Sequence, residues 1–398
     1  MPANLSDRIQ SLTPKQQELL HKRLSERTSE ADEARATVAG ARSTGKVDFS
    51  LFFFSADGHA SEDQRYRLLF DSARFADANG FAAIWTPERH FQAFGGLYPN
   101  PGVLSGALAM ITERLQIRAG SLVLPLHSPV RVAEDWALVD NLSRGRAGIS
   151  FATGWHEHDY VIAPGNYKDR RELMFENIAV VRRLWAGEGV ELPGVDGKRV
   201  MVRTLPRPVQ QELPVWVTVA STGTWRRAGE IGANVLTAFS TSAEELRQNI
   251  ASYRKARLDN GYDPRTGTVS LMLHTYVGAD IDEVREEVRG PLRNYLQTYI
   301  SQFQPMVAPG MTDPSLPEIQ GLLDVAFEHY FEKNSLLGPP GKCASIIEKV
   351  VAAGVNDLAC LLDFGLEYEK AMEGLHRLAD LRRDFGSKDS ATATGQGD

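Results

Sequence analysis

VDFSLFFFSADGHASEDQRYRLLFDSARFADANGFAAIWT, residues 47–86, runs from one apolar stretch through a charged, helix-like stretch to a second apolar stretch. Val47–Phe54 and Phe81–Thr86 are near-continuous apolar runs, the signature of strands buried on both faces of a parallel sheet. Between them, Ser61–Gly80 reads as a crossover helix ending at a glycine. The same alternation then recurs. Further apolar runs follow at Leu115–Pro125, Arg146–Thr153, Pro214–Ala220, Ala233–Phe239, Thr268–Val277 and Asp357–Phe364, with a second clear helix over Tyr167–Gly187. Eight strands alternating with helices predict an α/β fold of the closed (β/α)8 TIM barrel type in preference to an open doubly wound sheet. The stretch from about 290 to 340, rich in Pro, Gly and aromatics, is too long for one crossover and reads as an insertion before the last strand, a candidate lid.

Around this core, residues 1–45 form a separate expectation. Leu12, Leu19, Leu20 and Leu24 lie at helical spacing behind Thr13 and Pro14, and a charged, Ala-rich linker follows. The barrel is expected over 46–385, and the small polar residues of 386–398 read as a disordered tail. With 42% hydrophobic and 24% charged residues, the chain has the composition of an ordinary globular protein. A net charge of −7 lacks the basic excess that nucleic acid attracts, so a small-molecule substrate is the better expectation. Cys343 and Cys360 have neither disulfide-framework nor zinc-ligand spacing. No signal core and no apolar run of about 18 residues occurs, so a cytoplasmic protein without membrane contact is expected.

In such a barrel, chemistry comes from the C-terminal ends of the strands and the loops after them. Three segments meet that condition. WTPERHFQAFGGLYPNP, residues 85–101, carries Glu88, Arg89 and His90 after the second strand; ATGWHEHDY, residues 152–160, carries Thr153, Trp155 and His156 after the fourth. ASTGTW, residues 220–225, sets Ser221, Thr222, Gly223 and Thr224 before a helix, where hydroxyls, a glycine and helix N–H groups suit a phosphate. An ordinary N-cap is the plainer account of that cluster. His156, His158 and Asp159 lack the spread of ligands a metal needs, so no metal is expected. No P-loop and no GxSxG elbow is present, and DFG at Asp363 reads as a strand end. An aromatic-lined pocket, one anion site and an Arg/His pair suit a flat phosphorylated cofactor.

PERHFQAFGGLYPNP (87–101), AGSLVLPLHSPVRVAEDWALVDNLSRGRAGISFATG (119–154) and VWVTVASTGTWRRAGEIGANVL (215–236) together resemble the bacterial luciferase-like flavin monooxygenase family. ERHF with FGGLYPNP and GWHEHDY is similar to the branch found in or beside peptide-synthetase and polyketide assembly lines, and the N-terminal segment resembles linkers of peptide synthetases. The resemblance implies FMN at the C-terminal mouth, delivered as FMNH2 by a separate reductase, with O2 as oxidant, hydroxylating an intermediate held on a carrier protein. It also implies a homodimer. By the same resemblance Ser221, Thr222, Gly223 and Thr224 match the phosphate-binding turn, and Arg171 an arginine that pairs with the phosphate. Thr153 stands where luciferases place an arginine near that phosphate. Gly120 and Ser121 stand where they hold a cis peptide beneath the flavin ring. Luciferases have EHHF; here Arg89 replaces the first histidine, and an arginine does not lose its proton. Arg89 is therefore expected to pair with Glu88, to stabilise negative charge near the flavin, or to make a structural ion pair. His90 is the candidate for proton transfer or stabilisation of activated oxygen, and His156 for a substrate-side proton shuttle. Competing readings are a deazaflavin-dependent oxidoreductase on the same fold, a non-catalytic flavin-binding protein, and a metal-dependent hydrolase.

Overall fold

The computed structural model describes residues 46–54, 65–239, 242–307 and 317–385; the N-terminal segment and C-terminal tail singled out above lie outside them. In chain order come β1 (Asp48–Phe52), α1 (Arg67–Ala78), β2 (Ala83–Thr86), α2 (Pro101–Ala109), β3 (Gln116–Val123), α3 (Pro129–Ser143), β4 (Ala147–Ala152) and α4 (Arg170–Trp185). A hairpin of β5 (Val190–Pro193) and β6 (Arg199–Val202) leads to β7 (Val215–Thr218), α5 (Thr222–Glu230), β8 (Asn234–Ala238), α6 (Ala243–Asp259) and β9 (Val269–Val277). Helices α7 (Ile281–Val307) and α8 (Pro317–Lys333) precede β10 (Leu336–Gly338), α9 (Pro340–Ala353), β11 (Asp357–Leu361) and α10 (Tyr368–Phe385).

Parallel pairing runs β1–β2–β3–β4–β7–β8–β9–β11 and returns to β1, which closes the barrel that the alternation of apolar runs predicts. All eight expected runs supply these strands. Their paired cores are shorter than the runs, because the apolar ends continue into buried loop. The β5–β6 hairpin was not expected. It is a short antiparallel pair outside the barrel, with too few apolar positions to stand out in VELPGVDGKRV.

The stretch expected as an insertion is two helices and a short strand. Helix α7 runs straight through Gly290 and Pro291. A proline inside a helix costs about 3 kcal/mol. Opposing that cost, Val284, Val288, Leu292 and Leu296 recur every four residues and are all buried, and each such burial is worth about 1.5–3 kcal/mol. Leu323, Phe327 and Phe331 repeat the pattern on α8. Arg285 pairs with Glu328 and Glu332, Arg289 with Glu328, and Arg293 with Asp324, tying α7 to α8 along one side.

Side chains alternate across each strand. Phe49, Leu51, Leu271 and Leu273 join the large core beneath the helices, while Phe52, Trp85, Trp216, Ala359 and Leu361 pack within the barrel. One polar knot lies among the latter. Asp357, 1% exposed, accepts from Arg118 (2.9 Å), Ser50 (2.9 Å) and Ser270 (2.5 Å). The Arg118 guanidinium lies 4.8 Å from the Trp85 ring and 4.4 Å from Trp216, whose indole N–H groups donate to Ser50 and Ser270. Every polar group of that knot therefore has a partner.

Candidate active site

The loop after β2 turns inward, and its Glu88 is the hub. The Glu88 side chain is 0% exposed. A carboxylate can only accept, so His90 Nε2–H donates to Oε1 at 2.9 Å and His127 Nε2–H donates to the same oxygen at 2.6 Å. Oε2 accepts the Val123 backbone N–H at 2.7 Å. Burial raises the Glu88 pKa, but the hydrogen bonds from His127 and His90, the His127 charge and the Val123 N–H together bring it below the usual carboxylate value. For His127 burial lowers the pKa, yet its bond to Glu88 and the charges of Glu88 and Asp135 leave it raised.

Among the described residues the Glu88 oxygens take these three donors and make no ion pair with Arg89, so of the alternatives for Arg89 pairing with Glu88 is not the one formed. Arg89, 7% exposed, instead lies against aromatic rings: 4.9 Å from Phe54, 5.4 Å from Phe94 and 5.3 Å from Trp155. Phe91, the next residue but one, has φ 57° and is 65% exposed, so the rim bends sharply outward there.

The loop after β4 brings His156 to the same mouth. The Gln92 amide nitrogen lies 3.2 Å from His156 Nε2 and donates to it, while Nδ1 faces Asp159 Oδ1 at 3.6 Å. Burial lowers the His156 pKa, and the attraction of Asp159 is offset by repulsion from His158 and Arg89. The carboxyl of Asp159 is raised, chiefly by burial. Thr153 is held by its backbone, its carbonyl accepting from Tyr160 Oη at 2.5 Å.

The Gly120–Ser121 peptide of β3 is cis. A Cβ at Gly120 would lie 2.9 Å from Phe52 Cε2 and 3.0 Å from Trp85 Cε3, so the barrel interior demands glycine there. The Ser121 carbonyl accepts from Glu88 N–H at 3.0 Å, linking this peptide to the hub. Its hydroxyl bonds to Thr218, which bonds to Ser150 at 2.8 Å, so a hydroxyl chain joins β3, β7 and β4.

At α5, Ser221 is the N-cap in extended conformation, with its hydroxyl on Thr224 Oγ1 (3.0 Å) and not on a backbone N–H. Helix N-termini leave such donors for other acceptors. Around a Cβ built at Gly223 no atom of the described residues lies within 4 Å, so that stretch of backbone is open to approach. Glu172, in the first turn of α4, bonds Arg227 in the last turn of α5 at 2.7 Å, so the two helices lie side by side; Arg171, the residue before Glu172, is exposed. Hydroxyls and helix N–H groups around an open glycine fit a phosphate monoester.

Residues 47–357 match the luciferase-like monooxygenase family. The chain belongs to that family. It is 25% identical over 338 residues to the oxygenase component of a flavin-dependent trigonelline monooxygenase from Acinetobacter baylyi, covering 83% of this chain and 93% of that protein. The oxygenating constituent of 3,6-diketocamphane monooxygenase from Pseudomonas putida, solved with FMN, superposes with a TM-score of 0.68 at 18% identity over 86% of this chain and 99% of that one. An F420-dependent secondary alcohol dehydrogenase, solved with an F420–acetone adduct, gives 0.64 at 18% identity over 85% and 100%. By family this chain is thus a luciferase-like monooxygenase. No helix among its described residues is long and apolar enough to cross a membrane. His127 and the hub role of Glu88 were missed in the sequence. His127 closes the third apolar run in LVLPLH, so the strand-end rule that singled out the other three loops also points to it.

Proposed function

We propose that this luciferase-like monooxygenase uses FMNH2, supplied by a separate reductase, and O2 to hydroxylate an intermediate of natural-product biosynthesis presented on a carrier protein. The observation that carries the cofactor reading is the N-terminus of α5, where an open Gly223 stands among Ser221, Thr222 and Thr224. When bound, the reduced flavin supplies the electrons that activate O2. Ser221 to Thr224 and Arg171 would hold its phosphate, with Thr153 near it, and Gly120 and Ser121 would lie beneath its ring.

Glu88 accepts from His90 Nε2–H and keeps that imidazole oriented, which leaves Nδ1 as the nitrogen that would exchange a proton with the reacting oxygen. The fixed charge of Arg89 among Phe54, Phe94 and Trp155 favours negative charge developing nearby, and those rings exclude water. His156, whose pKa burial lowers, would exchange a proton on the substrate side through Nε2, the nitrogen that now accepts from Gln92. Support for the biosynthetic substrate and its carrier is the resemblance of ERHF, FGGLYPNP and GWHEHDY to the assembly-line branch. A cytoplasmic homodimer belongs to the same proposal; exposed Val103, Met110, Leu138 and Leu142 on and beside α2 and α3 offer it an apolar face.

The test supplies FMNH2 under O2 with acyl- and aminoacyl-carrier proteins and follows O2 uptake and product mass. Product sixteen mass units above the substrate supports the proposal; neither O2 uptake nor product with any carrier sinks it. The F420-dependent neighbour of the same fold motivates one alternative, hydride transfer by a deazaflavin. Fluorescence titration with FMN and with F420 decides between the two.

A further inference from the structure

His274 is the one histidine of the barrel strands that this mechanism does not use. It follows Ser270 and Met272 on the inward side of β9, nearer the C-terminal mouth than the Asp357 knot. Its side chain is almost wholly enclosed, at 3% exposure, and Nε2 has no hydrogen-bond partner among the described residues. Lower in the same interior Ser50, Ser270, Trp85 and Trp216 are all bonded, and Thr275 beside it returns its hydroxyl to the Leu273 carbonyl at 2.8 Å. A buried polar atom left unbonded is uncommon and costly, so it calls for a physical reason.

Rings surround this imidazole edge-on. Tyr295 of α7 lies 4.5 Å away, Tyr330 of α8 5.7 Å, and Phe364 after β11 5.5 Å, with interplanar angles of 86°, 87° and 77°. Tyr295 in turn meets Phe94 at 5.1 Å and Phe54 at 6.5 Å, the same rings that flank Arg89. A continuous aromatic wall therefore runs from the catalytic rim to His274. Around the barrel β9 stands four strands from β3 in either direction, so His274 lies across the mouth from Gly120–Ser121.

We propose that His274 is the polar contact of a substrate head-group pocket walled by α7, α8 and the loop after β11, selecting an uncharged, otherwise apolar molecule that bears a carbonyl or hydroxyl group. A neutral imidazole donates to a carbonyl from one nitrogen or accepts from a hydroxyl at the other. Burial alone lowers the His274 pKa to about 3, so the ring stays neutral and offers no countercharge to a carboxylate. The inference rests on the monooxygenase reading above.

The test uses the full chain with FMN and a size-matched series read by ligand-observed NMR: cyclohexanone, cyclohexanol, methylcyclohexane and cyclohexanecarboxylate. Cyclohexanone and cyclohexanol should bind the native protein at least tenfold tighter than methylcyclohexane, with the carboxylate weakest. His274→Phe should abolish the tenfold difference, His274→Gln should retain part of it, and FMN affinity should be unchanged in both. A raised melting temperature in His274→Phe with the preference intact would make His274 a structural residue and overturn the proposal, as would native protein that binds neither oxygenated ring or binds the hydrocarbon equally well. Failure of the native protein to bind FMN would instead overturn the monooxygenase reading, which the FMN titration reports separately.

Discussion

Glu88→Gln is the substitution that asks most of the site. The side chain keeps its shape, but one amide oxygen must serve three donors: His90 Nε2–H, His127 Nε2–H and Val123 N–H. A hydrogen bond to a charged group is worth about 1.5–3 kcal/mol, and a donor left unbonded in the interior costs a further 1–3 kcal/mol, roughly. His127 is 33% exposed and can recover water, so a loss of about 2–4 kcal/mol is expected for the whole substitution. Its pH dependence has a defined sign. Glu88 is lowered in the folded protein, so its contribution is present above the unfolded carboxylate value of about 4.3 and fades as pH falls through the folded value. His127 is raised, so its contribution is full below about 6.5 and is lost as pH rises through the folded value. The difference between the native protein and the Glu88→Gln variant should therefore be greatest between about pH 4.5 and 6.5 and smaller at pH 9. Urea unfolding followed by tryptophan fluorescence measures it, with the His127 titration read by NMR. A difference below about 0.5 kcal/mol, or one flat from pH 5 to 9, would refute the charged hub.

Arg171→Ala should weaken FMN binding by roughly 10- to 150-fold, the equivalent of a charge-assisted contact of about 1.5–3 kcal/mol; unaltered affinity in a fluorescence titration removes Arg171 from the phosphate site. Gly223→Ala should stabilise α5 by about 0.5–1 kcal/mol, since a Cβ there meets no protein atom, yet lower FMN affinity. Thermal unfolding with and without FMN reads both effects, and affinity that holds while stability rises argues against close approach of phosphate to that backbone. His90→Ala should leave FMN affinity intact and slow product formation about 10²- to 10⁴-fold, as measured in single turnover; native rates would exclude His90 from proton transfer. Asp357→Asn should cost about 3–5 kcal/mol in chemical denaturation, because it strands the buried Arg118 guanidinium; a loss under about 1 kcal/mol means that the knot is not a charged pair.

The fold was legible because a parallel strand buried on both faces leaves an unbroken apolar run, and all eight runs stand out between charged helices. The hairpin at Val190–Val202 left no such trace, having one face in solvent and only four residues a side. At Gly290–Pro291 local chemistry misleads: the dipeptide reads as a break, yet the buried stripe Val284, Val288, Leu292 and Leu296 carries the helix through. Within the site, strand-end position picked out the loops bearing Arg89, His90 and His156. It could not say which atoms meet. That Glu88 takes His90 and His127 while Arg89 lies against three rings depends on the direction of each side chain from the loop, which spacing does not encode.

These contacts divide the barrel mouth by charge. On the side of β2, β3 and β4 lie Glu88 with its two histidines, Arg89, and His156 with Asp159, all within hydrogen-bonding or ring contact of neighbours that shift or orient them. Across from them, the rings of Tyr295, Tyr330 and Phe364 enclose one imidazole that burial keeps neutral. Oxygen activation needs proton donors and a field that tolerates developing negative charge, and low dielectric strengthens both. A substrate that brought its own charge into that space would disturb the balance of the hub across the mouth. On the proposed function, separating the titratable groups of one wall from the rings of the other would let the site run proton transfer on one side and bind an apolar molecule on the other. If that division governs catalysis, a lysine or glutamate placed at Phe364 should slow oxidation even where FMN remains bound. An oxidation rate in either variant equal to the native rate, with FMN bound, would mean that the uncharged wall plays no part in the chemistry.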